Sequence, residues 1–190
     1  SLTTHAKNIL SNDNDEKITF YISDTIGLQS IKHYSVNSAG NEEIISSIYI
    51  DGIEHSDRLK SFIRNTFESL DAIIDLDFEE MLNDDGSEID IYKIKTSTSF
   101  EQNVVGQAIM QQTSIGSWID ILWQNASDDN SDSSQDENTL IHEIGHGLGL
   151  SHPYEDPFNK NWTTDDTVMS YNKGVYDWNT SYTNADINAL

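Results

Sequence analysis

The stretch His142-Glu143-Ile144-Gly145-His146-Gly147-Leu148-Gly149-Leu150-Ser151-His152 constrains this 190-residue chain more than any other part of it. Residues four apart lie on one face of a helix, so a helical segment here presents the imidazoles of His142 and His146 to one point. Two neutral imidazoles at that spacing grip Zn²⁺ at about 2.0–2.1 Å. Glu143, one residue on, leans toward the open side of such a metal without ligating it. A straight helix would carry His152 away. Gly149 takes a left-handed conformation at little cost, which ends the helix and turns the chain. Pro153 then bars the helix from continuing. The turn brings His152 back as a third ligand. Three histidines leave one position for water, the arrangement of a catalytic rather than a structural zinc site. A metal so held lowers the pKa of that water, and Glu143 stands ready to take its proton.

Composition narrows what surrounds this site. The chain carries 10 Lys+Arg against 33 Asp+Glu, a formal charge of −23. Such a field repels polyanions, so no nucleic-acid partner is expected. The apolar runs are too short for a membrane span, and no membrane partner is expected. Cysteine is absent, which excludes disulfides, Cys-ligated zinc, a thiol nucleophile and a thiol that gates the metal. The length suits one domain with a real core.

The hydropathy pattern supplies a coarse order of elements. Residues 1–16 are polar and read as an N-terminal arm without a secretory signal pattern. Ile18, Phe20 and Ile22 alternate with polar residues, as in a half-buried strand. Residues 24–47 show no clear period, and a short extended piece follows at 48–50. Residues 57–74 read as an amphipathic helix on Leu59, Phe62, Ile63, Phe67, Leu70, Ile73 and Ile74, with Ser56 as N-cap. Residues 76–79 and 89–94 read as strands, and 104–110 and 118–123 as further apolar pieces. The acidic tract 127–137 leads into a helix over about 135–148, with Ser134 and Glu137 matching a capping box. Beyond Pro153 the chain is irregular. His5, His33 and His55 lack ligand spacing and read as surface residues. The order implies an α+β or α/β domain.

HEIGHGLGLSH resembles the metzincin signature HExxHxxGxxH. Thr167-Val168-Met169-Ser170-Tyr171 is similar to the methionine turn of that clan, and His152-Pro153 together with Val168-Met169-Ser170-Tyr171 resembles its serralysin-like members, the peptidase family M10. The likeness runs over residues 17–190, strongly at 140–171 and weakly elsewhere. It implies an α+β zincin-like catalytic domain: a twisted, mostly parallel sheet with an antiparallel edge strand, two main helices and an irregular lower half. It implies a secreted, extracellular zinc endopeptidase that cleaves extended proteins or peptides and acts as a monomer. By the same resemblance, Met169 forms a floor under the histidines and Tyr171 assists the tetrahedral intermediate. Gly106, Ala108 and Met110 then lie on an edge strand that pairs with substrate. The family's glycine- and aspartate-rich Ca²⁺-binding repeats are not in this sequence, and its last helix would begin at Asp186 and be cut at the C-terminus. Ca²⁺ binding by the tract 127–137 competes with a plain solvated loop, since its spacing matches no defined Ca²⁺ loop.

Two rival readings stay open at this point: a metzincin-shaped binding module with little turnover, and a self-inhibited precursor. Glu143 weighs against the first, because a module that only binds needs no base. Acidic residues flank the active-site helix on both sides, and residues 96–190 hold only two basic ones, Lys160 and Lys173. A negative rim that favours basic peptides at low salt is therefore expected.

Overall fold

The computed structural model describes residues 4, 7–9, 17–127 and 131–190. It is a mixed α+β arrangement. The strands are β1 (Lys17–Ile22), β2 (Gly27–Val36), β3 (Glu42–Gly52), β4 (Asp77–Glu80), β5 (Ile89–Ser97), β6 (Gly106–Gln112) and β7 (Ser117–Trp123). Among the described residues the longer helices are α1 (Asp57–Asp71), α2 (Ser134–Gly147) and α3 (Asn184–Ala189), with a single 3-10 turn at Pro153–Glu155, and residues 7–9 are helical too. None is long and apolar enough to cross a membrane.

Strand β1 pairs in parallel with β4 and β5, and β5 in parallel with β7. Strand β6 closes one side antiparallel to β7, so the expected antiparallel edge strand is present. The sheet is nonetheless less parallel than the resemblance implies. Residues 24–47, which show no clear period, contribute a long antiparallel hairpin of β2 and β3, and β3 joins the far end of β5, again antiparallel. The hairpin escapes the hydropathy pattern because Leu28, Ile44, Ile45 and Tyr49 point to solvent and blur the alternation. The extended piece at 48–50 is its buried end.

Two layers of core form on the sheet's two faces. Ile18, Phe20, Ile22, Ile89, Ile91, Ile119 and Ile121 pack against α1 and α2, with Phe20 stacked on Phe67 at 4.0 Å. Ile9 is buried in this layer too. Tyr92, Ile94, Ile109 and Leu122 face the other way, under Ile48 and Ile50 of the hairpin. A strand buried on both faces needs no alternation, which explains why the period slips at Tyr92. Helix α1 is capped by Ser56, as expected, but stops at Asp71 rather than 74; Ile73 is exposed beyond its end.

His55 corrects the surface assignment. It is 2% exposed, with Nδ1–H donated to the Ser23 carbonyl at 3.0 Å and Nε2 accepting from Trp123 Nε1–H at 3.0 Å. Burial pushes its pKa down to about 4, so it stays neutral as a core connector. His33 is half-buried, and His5 lies outside the described residues.

Under the hairpin, Asp90 and Asp120 are register partners on β5 and β7, each 3% exposed. Asp120 accepts from Gln111 Nε2–H at 2.6 Å, whereas Oδ1 of Asp90 has no hydrogen-bond partner. Burial above all pushes these carboxyls up, to about 8 for Asp90 and about 7 for Asp120. An unfolded aspartate titrates near 3.9. Between about pH 4 and pH 8 the folded chain therefore holds protons that the unfolded chain has released, and stability falls as pH rises through that window. Asp90→Asn removes the ionisation. It should raise the melting temperature at pH 8.5 by about 2–4 °C, the equivalent of ~1 kcal/mol, and change little at pH 4. Calorimetry at the two pH values checks this, and an equal shift at both would contradict it.

Candidate metal centre

Helix α2 carries the first two histidines, and its start is fixed by a buried carboxylate. Ser133 is the N-cap: its Oγ accepts the Asp136 N–H, while the Asp136 carboxylate accepts the Ser133 N–H at 2.8 Å. The box thus sits one residue before the expected Ser134–Glu137 pair. Asp136 faces inward and also accepts from the Ala126 N–H at 2.8 Å, whereas Glu137 reaches Arg58 on α1 and Ser134 reaches Asp177. Asp132 pairs with the buried Lys93 at 3.6 Å and accepts from Ser56 Oγ. The described carboxylates of the acidic tract are therefore tied to protein groups; Asp128 and Asp129 lie outside the described residues.

Helix α2 ends as the glycine spacing predicts. Gly149 has φ +100°, Gly149 N–H bonds the His146 carbonyl at 3.1 Å, and Leu150 N–H bonds the Gly145 carbonyl at 2.8 Å. The chain turns back and delivers His152 to the face that holds His142 and His146. Two backbone carbonyls set the tautomers. His142 Nδ1–H donates to Val168 O at 2.9 Å, and His146 Nδ1–H donates to Leu150 O at 2.8 Å. Both Nε2 atoms are thereby left as bare lone pairs. Each lies 3.3 Å from Nε2 of His152, and one ligand atom from each of the three rings falls within 4.8 Å of the others.

This donor set fits a metal ion. Bonds of about 2.0–2.1 Å in a tetrahedron separate neighbouring nitrogens by roughly 3.3–3.4 Å, the spacing seen here. Lone pairs so close repel, and a cation between them relieves that repulsion. Burial pushes the pKa of His142 down to about 3 and that of His152 down to about 4, with the neighbouring His146 adding to both; burial lowers His146 as well. Each imidazole is thereby biased toward the neutral, ligating form. Among the described residues, the triad is the one group of three or more His, Asp or Glu side chains gathered this way.

The other expected site residues fall at different distances from the triad. Glu143 is 5% exposed; burial pushes its carboxyl up to about 8, against a hydrogen bond from the Ala108 N–H. Gly106 makes room for it: a Cβ there would meet Glu143 Oε1 at 2.5 Å and Thr139 Cγ2 at 2.8 Å. Met169 is 2% exposed beneath α2, its sulfur 2.9 Å from where a Cβ on Gly145 would stand. Tyr171 is half open to solvent, its ring against His142 at 5.2 Å, His152 at 5.1 Å and Phe158 at 5.1 Å. Burial and the Glu143 charge both push its phenol pKa up. Met110 stands apart, in a groove with His33 and Ile48 under the hairpin.

Asp186, read from the sequence only as the start of the last helix, lies inside that helix, which begins at Asn184, and has a role the sequence reading missed. It is 3% exposed. Its carboxylate accepts from Thr167 Oγ1–H at 2.6 Å, Val168 N–H at 3.1 Å and Thr183 N–H at 2.8 Å. It thus holds the residue whose carbonyl orients His142. The Thr183–Asp186 capping box of α3 was its legible signal.

No family model matches the chain, and no curated protein does. Among solved structures, one of myroilysin is similar, at 12% identity and a TM-score of 0.46 over 90% of this chain and 88% of that chain.

Asp186→Asn replaces an acceptor by a donor against the Val168 and Thr183 N–H groups. It should lower metal affinity about tenfold, read by competition with a chromophoric chelator. Unchanged affinity would show that residues 167–168 hold their place without it.

Proposed function

We propose that this chain is a secreted, metzincin-type zinc endopeptidase that hydrolyses extended protein substrates. The single observation that carries the reading is the convergence of three neutral imidazoles, two with their tautomers locked, beside a buried carboxyl that ligates nothing. His142, His146 and His152 hold the metal. Zinc bound by three histidines supplies Lewis acidity to a water and to a peptide carbonyl. Glu143, in a dry wall, takes a proton from the attacking water and passes it to the leaving amine nitrogen. The Tyr171 hydroxyl donates to the carbonyl oxygen as negative charge develops on it. Met169 supports the histidines from below. Gly106 and Ala108, whose strand has no partner strand on its second edge among the described residues, align the substrate backbone, with Met110 further along the same strand.

The purified protein should bind one zinc per chain and cleave an unstructured protein, and chelation should stop the cleavage. Glu143→Gln should keep the zinc and lose about 10²–10⁴-fold in kcat. Stoichiometric zinc with cleavage no faster than in Glu143→Ala would instead make the chain a binding module.

Glu155, Asp156, Asp165 and Asp166 are all exposed on the irregular segment that follows the helix. At low ionic strength, Lys/Arg-rich peptides should be cleaved several-fold faster than Glu/Asp-rich ones, and the difference should fade by ~0.5 M salt. Equal rates at low salt would reduce the charge to a solubility device.

A further inference from the structure

We infer that the groove between β6 and the β2–β3 hairpin binds a second, uncharged stretch of the substrate, remote from the cleaved bond, and so makes this chain favour long substrates. This rests on the endopeptidase reading and names a substrate class for it. The hairpin is the part of the sheet that the resemblance does not imply. Ser46, Ser47 and Ile48 of β3 form one wall of the groove, and residues 107–110 of β6 form the other. Thr98, Ser99 and His33 complete the lining of a volume of about 380 Å³. Ala108 joins this groove to the catalytic cluster: its N–H donates to the Glu143 carboxyl, and it lines the groove as well. Residues 102–106, just before, line the cavity at His142 and Glu143. An extended chain advances about 3.3 Å per residue. A substrate laid along β6 from the metal therefore enters the groove within a few residues, and in one direction only.

The walls are set before a ligand arrives. Gln111 of β6 is fully buried. Its Oε1 accepts the Tyr34 N–H of β2 at 2.7 Å, and its Nε2–H groups donate to the Lys32 carbonyl at 3.1 Å and to Asp120 Oδ2 at 2.6 Å. A side-chain amide thus takes the place of a strand on that part of β2. Nearer the hairpin's tip, Glu42 accepts the Ser114 N–H at 2.6 Å from the β6–β7 turn. At its other end β3 pairs with β5. The hairpin is therefore tied to β5, to β6 and to the turn after β6, which fixes its distance from the substrate strand.

The lining suits a neutral peptide. No Asp, Glu, Lys or Arg side chain lines the groove, in a chain whose formal charge is −23. A charged side chain entering it would lose water without gaining an opposite charge. Polar contacts for peptide groups are present instead. Ser46 and Ser47 are exposed, with hydroxyls that both donate and accept. Ser99 Oγ–H donates to Gln107 Oε1 at 2.7 Å, which leaves the Gln107 Nε2–H groups to donate to a substrate carbonyl. Met110, 39% exposed, and the buried Ile48 and Ile109 add an apolar surface for small aliphatic side chains. The exposed acidic rim draws basic residues toward the cleft, whereas this groove favours residues that carry no charge.

The test is kcat/KM at ~0.5 M salt, where the field of the rim is screened. Short peptides that span the cleaved bond are lengthened, first on one side and then on the other, with residues drawn from Ser, Ala and Gln. Lengthening on one side should raise kcat/KM at least tenfold, mostly through KM, and Lys or Glu in the added stretch should remove most of that gain. Ser47→Trp, which fills the groove from the hairpin side, should cut the long-to-short ratio at least fivefold. Gln107→Glu, nearly isosteric, should do the same by exchanging a donor for a carboxylate. Chelator-sensitive cleavage with no gain from length on either side, or a gain undiminished in both variants, overturns this inference and leaves the endopeptidase reading standing. Failure to cleave any peptide faster than Glu143→Ala defeats that reading, and the inference with it.

Discussion

Two hydrogen bonds carry the site: the Nδ1–H groups of His142 and His146, given to the carbonyls of Val168 and Leu150. A free imidazole exchanges its proton between two nitrogens, and half of its tautomers point the wrong atom at a metal. Donation to a fixed carbonyl removes that freedom and leaves Nε2 as an acceptor. The carbonyls belong to segments that are not helical, so the helix alone cannot make the site. The turn at Gly149 supplies one, and the turn at residues 167–169 supplies the other.

Those turns depend on buried polar groups rather than on regular structure. Asp186 gathers Thr167, Val168 and Thr183; Thr164 gathers Gly174 and Asn179; Asp136 gathers Ser133 and Ala126. Each holds several backbone N–H groups that would otherwise be buried without partners, which is costly. The last forty residues therefore keep a defined shape with one short α-helix and one 3-10 turn. Apolar contact sets the remaining spacing, with Met169 fitted under Gly145 where no Cβ stands.

The gathering of the three histidines was legible in the sequence, because a short segment encodes it. His142, His146 and Gly149 lie within eight residues, and helix period plus glycine conformation is enough to converge them. The sheet was less legible. Antiparallel β6 and buried β5 could be read, but the β2–β3 hairpin could not, since its exposed Leu28, Ile44, Ile45 and Tyr49 follow no inside–outside rule. His55 was misread for a related reason: its burial comes from Ser23 and Trp123, 32 and 68 residues away in the chain. Asp186 lay hidden in the same way, because a carboxylate's distant partners leave no local pattern. Local chemistry writes itself into spacing; long-range satisfaction of buried polar groups does not.

The central claim is that three neutral histidines are set in advance at the edges of a tetrahedron. X-ray absorption at the zinc edge of the metal-loaded protein tests it most directly. Three imidazole nitrogens at about 2.0–2.1 Å and one oxygen ligand are expected, with loss of one imidazole in His152→Ala. A shell of oxygens alone, or a spectrum unchanged by His152→Ala, would contradict it.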